Sequence, residues 1–301
     1  MKKILVIGSL NMDTVIETPY MPKSGETLTG TGVFLVPGGK GANQAYAAGK
    51  LGGNVSMIGA VADDSFGQML IKNLEAVGVN TSGVAVMEGE TTGQAFITVD
   101  SCGANSIIII GGTNALVSKE LIDANRALIE ECDMLVMQLE IDPEVVEYAK
   151  DLAVSMGKMV ILDPAPAKPN LPDSIWKGVE FIKPNETELE ILVGRTLAGV
   201  EERKAAAGEL LAKGVKNVMV SMGGDGLLLC NESGFQFFPA NKVKAVDTTA
   251  AGDCFTASFA LALSKGESVN EAIRFGQKAS AIAVTRKGAQ TSIPTLEEVL
   301  A

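Results

Sequence analysis

Residues 246–255 read VDTTAAGDCF: a polar turn, three small residues, an acid, and then an apolar helical pattern. Small residues at a helix start let backbone N–H groups come close to a ligand, and the helix end adds roughly half a positive charge. Ala250, Ala251 and Gly252 can thus form an anion hole, with Asp253 placed to act on a proton beside developing negative charge. The alternative is that Asp253 only satisfies the helix terminus. Residues 37–45, PGGKGANQA, open a second helix with Gly38, Gly39 and Gly41 around Lys40, and with Ala42 and Asn43 just inside. This is not a P-loop, because Gly41 rather than Ser or Thr follows the lysine. Ligand contact and chain punctuation both fit it. After the first apolar run come Asn11, Met12 and Asp13, whose polar pair can grip a hydroxylated ligand or form an Asx turn. The glycine fingerprint of a dinucleotide site is missing there, which disfavours an NAD oxidoreductase.

Further polar groups follow other apolar runs: Glu140, Asp163 in DPAP, and KPNETE over 183–188. Carboxylates so placed can organise Mg²⁺ through water, with substrate phosphates as the other ligands. Glu186 can equally start a helix and Glu188 be solvated. Ser221-Met222-Gly223-Gly224-Asp225-Gly226 can wrap a nucleotide or close a tight loop. The groups gain weight together, because all would converge on one sheet edge, as in a phosphate-handling enzyme.

The elements that must hold them alternate. Apolar runs at 3–7, 134–139, 159–162, 181–183 and 218–221 predict buried strands. Amphipathic stretches at 42–51, 65–76, 120–131, 143–156, 201–213, 253–264 and 269–285 predict helices. That order implies an α/β fold: a mainly parallel central sheet with helices on both faces and ligands at the strands' carboxyl ends. Two stretches, 14–36 and 93–112, break the pattern and read as strands of a small second layer, or else as an antiparallel edge of the main sheet. The expected organisation is a core of residues 1–13, 37–92 and 113–301, with a β-lid of 14–36 and 93–112.

Composition removes whole classes of chemistry. The 301 residues contain no histidine, so Ser-His-Asp and Cys-His catalysis and His-ligated zinc are out. Net charge is −11, from 25 basic and 36 acidic residues, with no basic run. Neither nucleic acid nor a membrane surface is an expected partner. Four unpatterned cysteines, and the absence of a signal-like or membrane-length apolar segment, predict a cytoplasmic protein.

GSLNMD, GGKGANQA, MQLE, DPAPA, KPNETE, SMGGDG, DTTAAGD and VTRKGAQTS, spread over nearly the whole chain, resemble the ribokinase family of PfkB-type carbohydrate kinases. The resemblance implies ATP-dependent phosphorylation of the 5-hydroxyl of D-ribose, with Asp253 as base and an anion hole at 250–252. It puts Asn11, Met12, Asp13, Gly39, Lys40, Gly41, Ala42, Asn43 and Glu140 at the sugar. It puts Asn185, Ser221–Gly226, Gly252, Asp253 and Gln277 at the nucleotide. Gln277 departs from the Asn or His frequent in the family. Glu188 would support Mg²⁺ through water. An activating K⁺ would lie near Asp247, Thr249, Ala283, Arg286, Gly288 and Ser292. The β-lid would also make a homodimer interface. Kinases for another small sugar (deoxyribose or fructose) or a nucleoside, and a non-catalytic sugar-binding protein, are the other readings. The small number of Tyr and Trp weighs against a nucleoside, and an intact Asp253 against the non-catalytic reading.

Overall fold

A computed structural model describes residues 2–301. The chain opens with β1 (Lys3–Ile7), whose Ile4 and Val6 enter one core and Leu5 and Ile7 the other. Burial on both faces explains a strand that is apolar throughout, as parallel sheets require. Next come β2 (Asn11–Thr18), β3 (Gly32–Gly38), α1 (Lys40–Lys50), β4 (Asn54–Ala62), α2 (Ser65–Glu75), β5 (Asn80–Met87), β6 (Gly93–Asp100) and β7 (Asn105–Ile110). The middle of the chain supplies α3 (Lys119–Ala124), α4 (Arg126–Glu131), β8 (Met134–Met137), α5 (Pro143–Ser155), β9 (Met159–Leu162), β10 (Phe181–Ile182), α6 (Glu186–Val193) and α7 (Val200–Ala212). It ends with β11 (Asn217–Ser221), β12 (Gly226–Asn231), β13 (Gly234–Pro239), α8 (Ala251–Ser264), α9 (Val269–Ala283) and α10 (Leu296–Leu300).

The main sheet has nine strands in the order β13-β12-β11-β10-β9-β8-β1-β4-β5. It is parallel from β11 to β5, and antiparallel at the β11-β12-β13 edge. Helix α8, buried along nearly its whole length, packs between α1 and α9 on one face. Trp176 and the apolar sides of α5 and α7 fill the other. The expected α/β architecture is thus present. Among the described residues, no helix is long and apolar enough to cross a membrane.

A separate four-stranded sheet has the order β3-β2-β6-β7. Residues 14–36 and 93–112 therefore do not extend the main sheet; its antiparallel edge is built from 226–239 instead. The small sheet begins at Asn11 and includes Gly38, a few residues beyond the expected limits at both places. The helix expected over 120–131 is two, because the Asn125 side chain donates to the Leu121 carbonyl at 2.9 Å and breaks the run.

Candidate active site

The N-terminus of α8 is shaped by the turn before it. Asp247 Oδ1 accepts from the Thr249 amide at 2.9 Å and its hydroxyl at 2.6 Å, and Oδ2 accepts from the Gly288 amide at 2.8 Å. Burial opposes ionisation of Asp247, but these hydrogen bonds outweigh it and lower its pKa. The amides of Val246 and Asp247 reach the Val284 carbonyl at 2.7 and 3.2 Å, stitching the turn to the end of α9. Ala250 then takes a left-handed conformation, φ 57°, and no side chain caps the helix. The Ala251 amide bends back to the Thr248 carbonyl at 3.2 Å. Gly252 and Asp253 follow in the first turn, where amides have no intrahelical acceptor.

Asp253 is 4% exposed and does not cap its own helix. Its Oδ2 accepts from Asn43 Nδ2 at 2.9 Å and its Oδ1 from Gln44 Nε2 at 3.0 Å. Both donors sit on α1, and both are held in turn. Gln290 Nε2 donates to Asn43 Oδ1 at 3.1 Å, and Gln138 Nε2 to Gln44 Oε1 at 2.7 Å. Gln44 Nε2 also donates to Asp163 Oδ2 at 2.9 Å. The glycines of PGGKGAN make this reach possible. Gly39 has φ 84°, and a Cβ on Gly41 would stand 2.6 Å from the Gly8 backbone. Their role is chain geometry, and that geometry brings α1 against the end of β1.

Acids gather around Lys40. The Asp253 charge, opposed by burial and aided by Asp163, Glu140 and Glu188, holds the Lys40 ammonium well above its ordinary pKa. Glu140 Oε2 accepts from the Lys40 amide at 2.9 Å and from Ser9 Oγ. Asn11 Oδ1 accepts from Asn114 Nδ2 at 2.7 Å. Asp13 Oδ1 is buried with no hydrogen-bond partner. Burial first, then the charges of Glu140 and Asp253, push the Asp13 carboxyl up to about 7. Desolvation likewise raises Asp163 to about 6, against the pull of Lys183 and Lys40.

A cleft of about 550 Å³ runs from Lys40 and Asp253 past Ala250, Ala251 and Gly252 to Asn185, Glu188, Ser221, Gly223, Gly224, Gly226 and Gln277. Asn185 and Glu188 also form the capping box of α6, at 2.8 and 2.7 Å, so both have a structural task while they border the cleft. Gln277 Nε2 donates to the Phe238 carbonyl at 3.1 Å. Other expected site residues turn away. Met12 and Ala42 are 0% and 1% exposed, with side chains in the core, so only their backbone is available to a ligand. Met222 is likewise in the core, and Asp225 lies in an exposed turn outside the cleft border. Of the residues expected around K⁺, hydrogen bonds join Asp247, Thr249 and Gly288. Ala283 and Ser292 bury their side chains, Ser292 Oγ donating to Ala289, while the Arg286 guanidinium pairs with Glu298. Among the described residues, no group of three or more acids or thiols is placed to hold a metal by itself.

Sequence reasoning did not single out Gln44, Gln138, Asn114 or Gln290. Gln44 had a signal, since it adjoins Asn43 in the same motif. Gln138 and Gln290 likewise lie in the motifs MQLE and VTRKGAQTS, whereas Asn114 becomes a neighbour of the site only through folding.

Residues 1–296 match the family described as pfkB family carbohydrate kinase. The chain belongs to the pfkB family of carbohydrate kinases. As a member of that family it is an ATP-dependent sugar kinase. Its curated pfkB relatives include the ribokinase of Haemophilus influenzae, 42% identical over 99% of this chain and 97% of the relative. The deoxyribokinase of Salmonella typhimurium is 40% identical over 98% of this chain and 96% of the relative. Among solved structures, Thermotoga maritima ribokinase matches with a TM-score of 0.91 and 41% identity, covering 100% of this chain and 98% of that one. Arabidopsis thaliana ribokinase, complexed with ribose and ATP, matches with a TM-score of 0.91 and 31% identity, covering 99% and 97%.

Proposed function

We propose that this kinase transfers the γ-phosphoryl group of ATP to the 5-hydroxyl of D-ribose, giving D-ribose 5-phosphate and ADP. The observation that carries the reading is Asp253: a buried carboxylate at an uncapped helix mouth, aimed by Asn43 and Gln44 and facing the cleft. Asp253 takes the hydroxyl proton as the new O–P bond forms. The bond between the γ-phosphorus and the bridging oxygen breaks, and ADP leaves with that oxygen. The amides at 250–252 receive the charge of the moving group, Gly252 most directly, since Ala251 spends its N–H on Thr248. Placement and charge neutralisation are the main demands of such a transfer, so histidine is dispensable.

The sugar lies among Asn11, Asp13, Gly39, Lys40, Asn43 and Glu140. The unpaired Asp13 Oδ1 is an acceptor awaiting a hydroxyl. The nucleotide takes the far end of the cleft, between Asn185, the 221–226 turn and Gln277. Mg²⁺, when bound, neutralises phosphate charge. Glu188 fits an ion held through water, because it borders the cleft and its capping box uses only one of its carboxylate oxygens. K⁺ fits beside Asp247, an ionised carboxylate on the turn that sets the anion hole. Residues 14–36 and 93–112 act as a lid over the sugar and as the interface of a homodimer, a role suited to the exposed isoleucines of β7. The unpaired thiols suit the reducing cytoplasm.

The ribokinases among its relatives support ribose, and a deoxyribokinase of similar identity keeps 2-deoxyribose as the second reading. A coupled ADP-release screen over D-ribose, 2-deoxyribose, fructose and adenosine, with and without K⁺, decides between them. The expected outcome is the highest kcat/KM with D-ribose and a gain with K⁺. ADP release with no sugar of the set would refute the assignment.

A further inference from the structure

One buried amide outside the Asp253 network is used to the full. Asn114 sits in a 3₁₀ turn, Gly112–Leu116, just after the small sheet, and is 2% exposed. The turn is tied down on both sides. The Thr113 hydroxyl donates to the Ala60 carbonyl of β4 at 3.0 Å, and the Thr113 amide to the Thr91 carbonyl at 2.9 Å. From there Asn114 reaches 104 residues back to the root of β2. Its Oδ1 accepts from the Leu10 amide at 2.9 Å, and its Nδ2 donates to the Leu10 carbonyl at 3.0 Å and to Asn11 Oδ1 at 2.7 Å. The Leu10 backbone thereby decides which end of the Asn114 amide is which, because an N–H only donates and a carbonyl only accepts. Space enforces the arrangement too. Gly93 pairs with Asn11 in register, and a Cβ on it would stand 2.1 Å from Asn114 Nδ2 and 2.4 Å from Asn11 Oδ1.

Asn11 inherits its orientation from this anchor. With Oδ1 committed to Asn114, it has only its Nδ2 hydrogens to offer, and no acceptor among the described residues takes them. Asp13, two residues on and on the same face of β2, offers the unpaired acceptor Oδ1. A donor beside an acceptor suits neighbouring hydroxyls, which both give and take hydrogen bonds. A reversed Asn11 would set its own carbonyl oxygen beside that carboxylate, and two acceptors would compete for one hydroxyl proton. We propose that Asn114 is a positioning residue for the sugar: by holding Asn11 Oδ1, it fixes the Asn11 amide with its donors toward the substrate hydroxyls.

This inference rests on the sugar-kinase reading, and the test separates the two. D-Ribose binding by calorimetry and ribose-dependent ADP release are measured for the wild type, Asn114→Asp, Asn11→Ala and the double variant. Asn114→Asp keeps an acceptor for the Leu10 amide and removes the donor to Asn11. It should raise the D-ribose Kd and KM about 10–100-fold, the scale of a buried polar group left mispaired. The KM for ATP, and kcat at saturating ribose, should stay within about threefold of wild type. In the Asn11→Ala background the same substitution should change the D-ribose Kd less than about threefold, since no amide remains to be oriented. A D-ribose KM within about threefold of wild type for Asn114→Asp, a loss confined to kcat, or an equal loss of affinity in both backgrounds overturns the role. If Asn114→Asp does not fold, crystal structures of the wild type with and without D-ribose give the answer. Asn114 still bonded to Asn11, with Asn11 on a sugar hydroxyl, supports the proposal. Asn11 released from Asn114, or away from the sugar, refutes it. Wild type that releases no ADP with any sugar fails the kinase reading and this inference with it, whereas an active wild type beside an indifferent Asn114→Asp fails only the role of Asn114.

Discussion

The two sheets of this kinase treat burial in opposite ways. Around the carboxyl ends of the main sheet, buried polar side chains bond to one another, with Asp13 Oδ1, Gln138 Oε1 and Asp163 Oδ1 left over. Asp253, Asn43, Gln44, Gln138, Asp163 and Gln290 form one connected set of side-chain hydrogen bonds. In the small sheet, β7 leaves Ile107, Ile108, Ile109 and Ile110 between 49% and 65% exposed, and β3 leaves Val33, Phe34 and Leu35 exposed as well. The first region is preorganised: its dipoles are oriented before substrate arrives, so little reorganisation remains for the transition state. The second is incomplete, since contiguous apolar surface of this kind marks a place where another surface docks. Rigidity belongs where charge moves, and unsatisfied apolar area where a partner or a closing motion supplies the cover.

The largest expected effect tests the first region. Asp253→Asn should cut kcat by about 10²–10⁴-fold or more, with sugar affinity retained, because the side chain keeps its shape while losing its proton affinity. Near-normal turnover in the ADP-release assay would remove Asp253 from its role and the network from catalysis. The second test addresses β7. Ile108→Asp should convert a wild-type dimer into a monomer in sedimentation, with kcat reduced far less than by Asp253→Asn. A wild type already monomeric at high concentration would break the contrast between the sheets.

A pH series sharpens the boundary between them, because Asp13 lies on β2 of the small sheet yet faces the acids of the large one. Its folded pKa, about 7, stands above the ordinary 3.8. The folded state therefore carries a penalty that is absent below about 3.8 and grows as pH rises towards 7. Asp13→Asn should raise the thermal midpoint more at pH 8 than at pH 4. In the wild type, sugar KM should increase as pH falls through 7, and this dependence should vanish in the variant. Equal midpoint shifts at both pH values would contradict the assignment. The smallest effect concerns Ala250, a non-glycine residue at φ 57°. Ala250→Gly should raise stability by no more than about 1 kcal/mol in denaturant titration, since relief of left-handed strain is partly offset by chain entropy.

The legible parts of this fold were those with local causes. The run at 3–7 announced a strand buried on both faces, and the approach to Asp253 announced a helix start. Other elements lacked such a mark. Strands β4 and β5 follow glycine-rich or turn segments and carry Ser, Asn or Thr near their starts, which dilutes the apolar run. The hairpin of β12 and β13 was hidden behind a glycine turn that looked sufficient by itself. Met12 shows the limit for the site. Between Asn11 and Asp13 it shares their motif, but strand alternation sends its side chain to the opposite face and into the core.

By itself, the order of residues determined which chemistry was open to this protein: no imidazole, an acid at a helix mouth, glycines where the chain must turn tightly, and an alternation of strands and helices. These follow from side-chain identity and from interactions a few residues long. Tertiary structure alone decided the partners: Gln44 from position 44 against Asp253, Lys183 against both Asp163 and Gly252, and Asp13 among charges that raise its pKa. Such pairings depend on burial and on distances across the sheet edge, and the local chain carries no record of either.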